Sequence, residues 1–428
     1  MRWFRASEPD FQARFDAFAQ ERRGGSPDVD AAVAEIVEAV RQEGFPALAR
    51  FTARFDGAEI GEASVRVTPD QIAEGAALCP EPVRDALRFA ADRIGRYHER
   101  QRPADARWTD EAGATLGWRW TPLDSVGVYV PGGRAAYPSS VLMNVVPARV
   151  AGVARIAMVS PPGRLDPAVL AAAEIAGVTE LWRVGGAQAV AALAYGAGPI
   201  RPVDKIVGPG NAWVAAAKRR VFGQVGIDTP AGPSEIVVVA DVGADPRWIA
   251  ADLISQAEHD PAAQAILITD DEGFALRTCA ELDRLLNELP TGDAARASWR
   301  DHGAVVIAPL EDAPALVDGL APEHVEFALD DPEQLAAKVR HAGAIFLGRH
   351  APEAVGDYVA GSNHVLPTGG AARFASGLSV HDFLKRTSIL GFDARGLAAL
   401  GPATIILAEA EGLPAHALSA RLRLEATS

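Results

Sequence analysis

Short β-branched runs that end in glycine and give way at once to a helix-like stretch recur along this chain. That alternation limits its architecture more than any other feature. The runs "VGVYVPGG" (126–133), "RIAMVS" (155–160), "ELWRVGG" (180–186) and "DKIVGPG" (204–210) are each followed by helical spacing, at 166–176, from about Gln188, and through Lys218. Buried apolar strands alternating with helices imply parallel pairing joined by right-handed crossovers. The pattern then restarts with "SEIVVVAD" (234–241), "AILITD" (265–270), "AVVIAP" (304–309), "HVEFAL" (324–329) and "AIFLG" (344–348). The expected fold is α/β, with two Rossmann-like doubly wound domains plus helical N-terminal and C-terminal extensions.

Boundaries follow from where the period changes. Residues 1–112 read as a helical N-terminal region packing on the core. Residues 113–230 read as the first α/β domain and 231–380 as the second, with the change near "IDTPAGPSE" (227–235). Residues 381–428 read as a helical tail. The stretch "PEAVGDYVAGSNHVLPTGGAARFASG" is rich in Gly, Pro, Ser and Asn. A long irregular segment of this kind is usually functional or a crossing between subunits.

Composition narrows the chemistry. The 428 residues carry a formal net charge of -15, so nucleic acid and anionic membrane surfaces are not expected partners. Only 2 cysteines are present, Cys79 and Cys279, which leaves no thiolate metal site and no disulfide framework. A bound metal would have to use nitrogen and oxygen ligands. The N-terminus "MRWFRASEPDF" has no apolar signal core, and no uncharged run is long enough to span a bilayer, so a cytoplasmic enzyme or binding protein is expected.

The glycines of "VPGG", "VGGAQ" and "VGPGN" each follow a strand and precede a helix. Glycine there permits tight turns and close backbone approach, and a helix N-terminus favours phosphate. None is a complete dinucleotide fingerprint. In "LISQAEHDP" (253–261), Asp252, Gln256 and His259 line one helical face, which can be a solvated face or a row of ligands. Asp245 and Pro246 mark where that helix starts, and Pro261 marks where it stops. Glu323 and His324, in "LAPEHVEF", sit at a strand entrance after Pro322. An imidazole there suits a general base, and its neighbouring carboxylate could fix the tautomer or activate water. Asp357 and His364 lie in "GDYVAGSNHVLPT", and Glu411 and His416 in "EGLPAHAL". Gln256, His259, Asp357 and His416 would make a zinc sphere, although spacing alone does not establish it.

Taken together, "VGVYVPGGRAAYPSSVLMNVVPA", "VGGAQAVAALAYG", "KIVGPGNAWVAAAKRRVFG", "IDTPAGPSE", "SQAEHDP", "APEHVEF", "GDYVAGSNHVLPT", "SGLSV" and "EGLPAHA" resemble the histidinol dehydrogenase family, in order, from about residue 115 to 416. The resemblance implies a cytoplasmic, zinc-dependent homodimer acting in histidine biosynthesis. Its members oxidise L-histidinol through L-histidinal to L-histidine and reduce two NAD⁺. By the same resemblance, Gln256, His259, Asp357 and His416 are zinc ligands that also contact substrate, and Glu323 and His324 are the acid–base pair, with His324 contacting substrate too. Ser234, His364 and Glu411 bind substrate, and Tyr129, Gln188 and Asn211 contact NAD. The C-terminal tail would reach the partner subunit. Two other readings stay open from sequence: a paralogous dehydrogenase of another small primary alcohol, and a zinc hydrolase in which Glu323 activates metal-bound water.

Overall fold

The glycine-ended runs become parallel strands because both of their faces are covered. In the computed structural model, which describes residues 1–21, 27–132, 137–163, 165–229 and 232–426, the strands Ser125–Tyr129, Glu235–Ala240, Gln264–Thr269 and His324–Ala328 are buried at every position. The first six-stranded sheet runs Arg66–Val67, Glu180–Arg183, Arg155–Ser160, Ser125–Tyr129, Lys205–Val207, Gly226–Ile227, and only its first strand is antiparallel. The second six-stranded sheet runs Arg2–Arg5, Ala304–Ile307, Gln264–Thr269, Glu235–Ala240, His324–Ala328, Ala344–Leu347, all parallel. In each sheet the chain winds outward from a central strand and later returns to that strand's other side. Both sheets are therefore doubly wound, as the sequence pattern leads one to expect. The domain change expected at residues 230–231 lies outside the described residues, as does residue 133 of the "VPGG" turn.

The helix Pro246–Ala257 starts where the sequence places it. The Asp245 carboxylate accepts from Arg247 N at 2.9 Å. Ile249, Leu253 and Ala257 bury one side against the second sheet, which leaves the Asp252 and Gln256 side for other work.

Two features depart from the sequence reading. The largely helical N-terminal stretch also contributes strands, with Arg2–Arg5 beside Ala304–Ile307 in the second sheet and Arg66–Val67 beside Glu180–Arg183 in the first. Runs this short carry too little periodicity to be read as strands. Residues from 384 onward are not helical at first: Leu384–Gly391 pairs antiparallel with Thr115–Pro122, which also pairs with Ala106–Thr109. Trp118 and Trp120 on that small sheet lie under the Arg386 guanidinium, a cation–π arrangement that a charged strand read alone does not reveal. Only then do the helices Ala394–Ala410 and Pro414–Glu425 form a hairpin, with Gly401 close under Leu424. That hairpin exposes Ile406, Leu407, Leu418 and Leu422. No described helix is long and apolar enough to cross a membrane.

His98, at the end of the helix Glu81–Glu99, is completely buried. Its Nδ1 meets Gln101 Oε1 at 2.7 Å, and Asn363 Nδ2 approaches its Nε2 at 3.4 Å while donating to Met143 O at 2.6 Å. These partners fit a neutral ring with its proton on Nδ1. Burial lowers the pKa of His98, outweighing its hydrogen bond to Gln101 Oε1, which raises it. The unfolded chain binds the extra proton below about pH 6.5, so the stability contributed here is present above that value and is lost on acidification. Thermal unfolding followed from about pH 7.5 to about 5.5 should show a steeper acid-side loss in the wild type than in His98→Gln. Equal slopes would contradict this.

Candidate active site

The approach to His324 is strained. Ala321 caps the helix Ala313–Leu320 at φ 49°, the one non-glycine residue with positive φ among the described residues. It directly precedes Pro322, which disfavours helical backbone at that place. The chain thus turns sharply and delivers Glu323 and His324 to the first position of a buried strand. There both are gripped by the backbone of one residue: Glu235 N donates to Glu323 Oε2 at 3.1 Å, and His324 Nδ1 meets Glu235 O at 3.2 Å. A carbonyl can only accept, so Nδ1 carries the proton. Nε2 is left as the basic nitrogen, buried and without a hydrogen-bond partner.

Three elements meet around that nitrogen, and each contributes two polar residues. The strand supplies His324 and Glu326 on one face, the helix Pro246–Ala257 supplies Gln256 and Asp252 one turn apart, and the helix Glu353–Tyr358 supplies Asp357 and Glu353 one turn apart. His324 Nε2 stands 3.7 Å from both Glu353 Oε1 and Asp357 Oδ1, and the three residues offer ligand atoms that all lie within 4.8 Å of one another. Deeper, Glu326 Oε1 accepts from Glu353 N, the Asp252 carboxyl meets that of Glu326, and Ser255 Oγ donates to Glu353 Oε2 at 3.2 Å.

Burial raises the pKa of Glu323 and of Glu353. It also raises Asp252 and carries Glu326 well above the carboxylate range. Burial likewise raises Asp357, but the neighbouring His324 and His364 bring it below its ordinary value. For His324, burial lowers the pKa, but Glu323, Asp357 and Glu353 outweigh it and the net direction is up. Gln256 is 1% exposed, and its Oε1 has no hydrogen-bond partner. A buried amide oxygen in that state is costly unless something electropositive meets it. The gathered imidazole and carboxylates fit a divalent cation, and Gln256 presents an unpartnered buried oxygen one turn from Asp252.

The remaining residues singled out from sequence divide into those near this cluster and those apart from it. Ser234 precedes the strand whose Ile236 lies opposite His324. His364 Nδ1 meets Asp357 O at 3.0 Å, and the His259 charge acts on the His364 ring. His259 lies just past the helix end and is exposed. Glu411 and His416 are exposed on the C-terminal hairpin, and no hydrogen bond or ion pair among the described residues ties them to the cluster of their own chain. At the carboxyl ends of the first sheet, Tyr129 Oη accepts from Gly186 N at 3.0 Å. There burial pushes the Tyr129 hydroxyl's pKa up to about 12. Gln188 Nε2 donates to Asp56 Oδ2 at 3.2 Å, and Asn211 caps the next helix by accepting from Trp213 N and Val214 N. The two edges are close, because Arg93 donates to Ala360 O at 2.9 Å and Tyr137 acts on Tyr358, the neighbour of Asp357.

A family model described as histidinol dehydrogenase matches residues 20–424. The chain belongs to the histidinol dehydrogenase family. It is 69% identical over 99% of its length to histidinol dehydrogenase of Caulobacter vibrioides, covering 99% of that protein, and 58% identical over 98% to that of Rhodospirillum rubrum, again covering 98%. It superposes with a TM-score of 0.94 on the crystal structure of histidinol dehydrogenase from Elizabethkingia anophelis, at 34% identity, covering 100% of this chain and 98% of the other. As a member of the histidinol dehydrogenase family it is an oxidoreductase.

Sequence reasoning missed Glu326 and Glu353. Glu326 had a signal, since a carboxylate inside a strand otherwise buried on both faces is rare unless paired. Glu353 had only its one-turn spacing from Asp357. Gly208 shows how tightly the first-sheet edge is built: at φ +111° a Cβ would stand 2.2 Å from Tyr129 O. Gly208→Ala should cost at least about 2 kcal/mol of stability, read as a lowered denaturant midpoint. A midpoint equal to wild type would refute the close approach.

Proposed function

We propose that this chain oxidises L-histidinol to L-histidine by way of L-histidinal, the last step of histidine biosynthesis, in the cytoplasm, with NAD⁺ as oxidant and one zinc ion per subunit. The observation that carries this reading is a buried imidazole with its Nε2 free of hydrogen bonds, fixed by the Glu235 backbone beside a buried carboxyl. Gln256, His259 and Asp357, with His416 of the partner subunit, would hold the zinc, and the orphaned Gln256 oxygen supports an oxygen ligand there. Tyr129, Gln188 and Asn211 would hold the NAD⁺, while Ser234, His364 and Glu411 of the partner subunit would hold substrate. When bound, zinc supplies a fixed positive charge for the substrate's nitrogens and NAD⁺ takes up hydride.

The chain's own residues then do the proton work. His324 Nε2 takes the alcohol proton as hydride departs from the carbinol carbon, giving the aldehyde and one NADH. Glu323 removes a proton from water as the water oxygen adds to the aldehyde carbon, while protonated His324 returns its proton to the carbonyl oxygen, giving the hydrate and a neutral imidazole. His324 takes one hydrate proton as the second hydride departs, giving the carboxylic acid and a second NADH, and the acid loses its remaining proton to water as the carboxylate. The enclosing carboxylates keep His324 oriented through both steps. A rival ligand set has one observation in its favour: among the described His, Cys, Asp and Glu residues, His324, Glu353 and Asp357 gather closely enough to hold a cation.

Purified protein supplied with zinc, NAD⁺ and L-histidinol should release two NADH per histidinol. His324→Asn should lower the rates of both oxidations by about 10²–10⁴-fold at unchanged zinc content, whereas loss of zinc in that variant would favour the rival set. Glu323→Gln should chiefly impair aldehyde oxidation, and equal loss of both steps would contradict the assigned roles. His259→Ala should lose zinc and activity together.

A further inference from the structure

The chain buries an ion pair that the proposed chemistry leaves unused. Lys218 and Asp228 have side chains only 2% and 4% exposed and are in direct contact. A buried pair of this kind seldom stabilises a fold better than apolar residues of similar volume, so what it touches matters. Both members hold the same residue. Lys218 Nζ donates to Gly208 O at 2.9 Å, and Gly208 N donates to Asp228 Oδ2 at 2.7 Å. Gly208 is the glycine packed against the Tyr129 backbone, and it opens the turn that leads to Asn211. The pair reaches this turn from two directions, Lys218 from the last turn of the helix Ala212–Val221 and Asp228 from beyond the strand Gly226–Ile227. Asp228 and Thr229 also border a cleft of about 460 Å³ that Ser376, Ser379 and His381 close from the opposite side.

We infer that Lys218 and Asp228 are positioning residues for the dinucleotide. By clamping both polar groups of Gly208 they set the height of the 208–211 turn against Tyr129, and so the place of Asn211. This rests on the reading that NAD⁺ binds at these turns. The clamp acts through the backbone and touches no reacting atom. It should therefore govern the affinity for NAD⁺ and leave the acid–base pair alone.

Two double variants with equal charge separate the grip from simple burial. Lys218→Met with Asp228→Leu removes both hydrogen bonds to Gly208, whereas Lys218→Gln with Asp228→Asn keeps a donor and an acceptor. The first should raise the KM for NAD⁺ about tenfold, the loss of one or two net hydrogen bonds. Its kcat at saturating NAD⁺, KM for L-histidinol and zinc content should stay near wild type, while its Tm falls by several degrees because Gly208 N and O lose their partners and the fold persists. The second should keep the KM for NAD⁺ within about threefold of wild type. Equal shifts in the two variants, an unchanged KM in the first, or a first variant that unfolds while the second is sound would each overturn the assignment. A wild-type protein that reduces no NAD⁺ with any alcohol would instead sink the underlying cofactor reading.

Discussion

Burying one imidazole among five carboxylates at the amino edge of a parallel sheet is the constraint on which the rest of this structure depends. Glu323, Glu326, Glu353, Asp252 and Asp357 cannot all stay ionised there, since an uncompensated buried charge is costly. The cluster resolves this in layers. The inner carboxyls of Asp252, Glu326 and Glu353 are raised and can share protons, and Asp357 is held ionised beside His324 and His364. In the proposed function, a cation held by Gln256 and Asp357 would complete the balance.

The same constraint explains where the site lies. Doubly wound sheets usually bind ligands at the carboxyl ends of their strands, where the winding reverses. The first sheet keeps that arrangement, with Tyr129, Gly186 and Gly208 at its carboxyl edge. In the second sheet, the corresponding crevice is filled by Arg349, which pairs with Asp241 at 2.8 Å and Asp330 at 2.6 Å and donates to Ala328 O at 2.9 Å. Its polar residues gather instead at the opposite edge, and the segment from Glu353 to His364 bridges from there to the first sheet's helices.

Most of the architecture was legible because it rests on local pattern: β-branched runs, glycine turns and the Asp245 cap all act within a few residues. The small antiparallel sheet was not, since Leu384–Gly391 finds its partner more than two hundred residues away in Thr115–Pro122 and its alternation is masked by charged residues. The site was legible in part. His324 and Glu323 stand out because polar groups at a strand entrance need a reason, and Gln256 stands out through its helical register. Glu326 offered a signal, a carboxylate inside a buried strand, whereas Glu353 and the Lys218–Asp228 clamp gave almost none, because their significance comes from what distant segments bring beside them. The family resemblance, carried by long motifs, supplied His416 and Glu411, which no spacing argument joins to the rest.

Those two residues carry the strongest demand of the proposed function, because they sit on a hairpin that exposes an apolar face and stands apart from its own chain's cluster. The most direct test is complementation between His259→Ala and His416→Ala, each inactive alone. If one chain's cluster is completed by the other chain's hairpin, mixed dimers hold one intact site, and random mixing should restore about one quarter of wild-type activity. If mixing restores none, His416 serves its own chain or no site at all, and the shared cation centre is wrong.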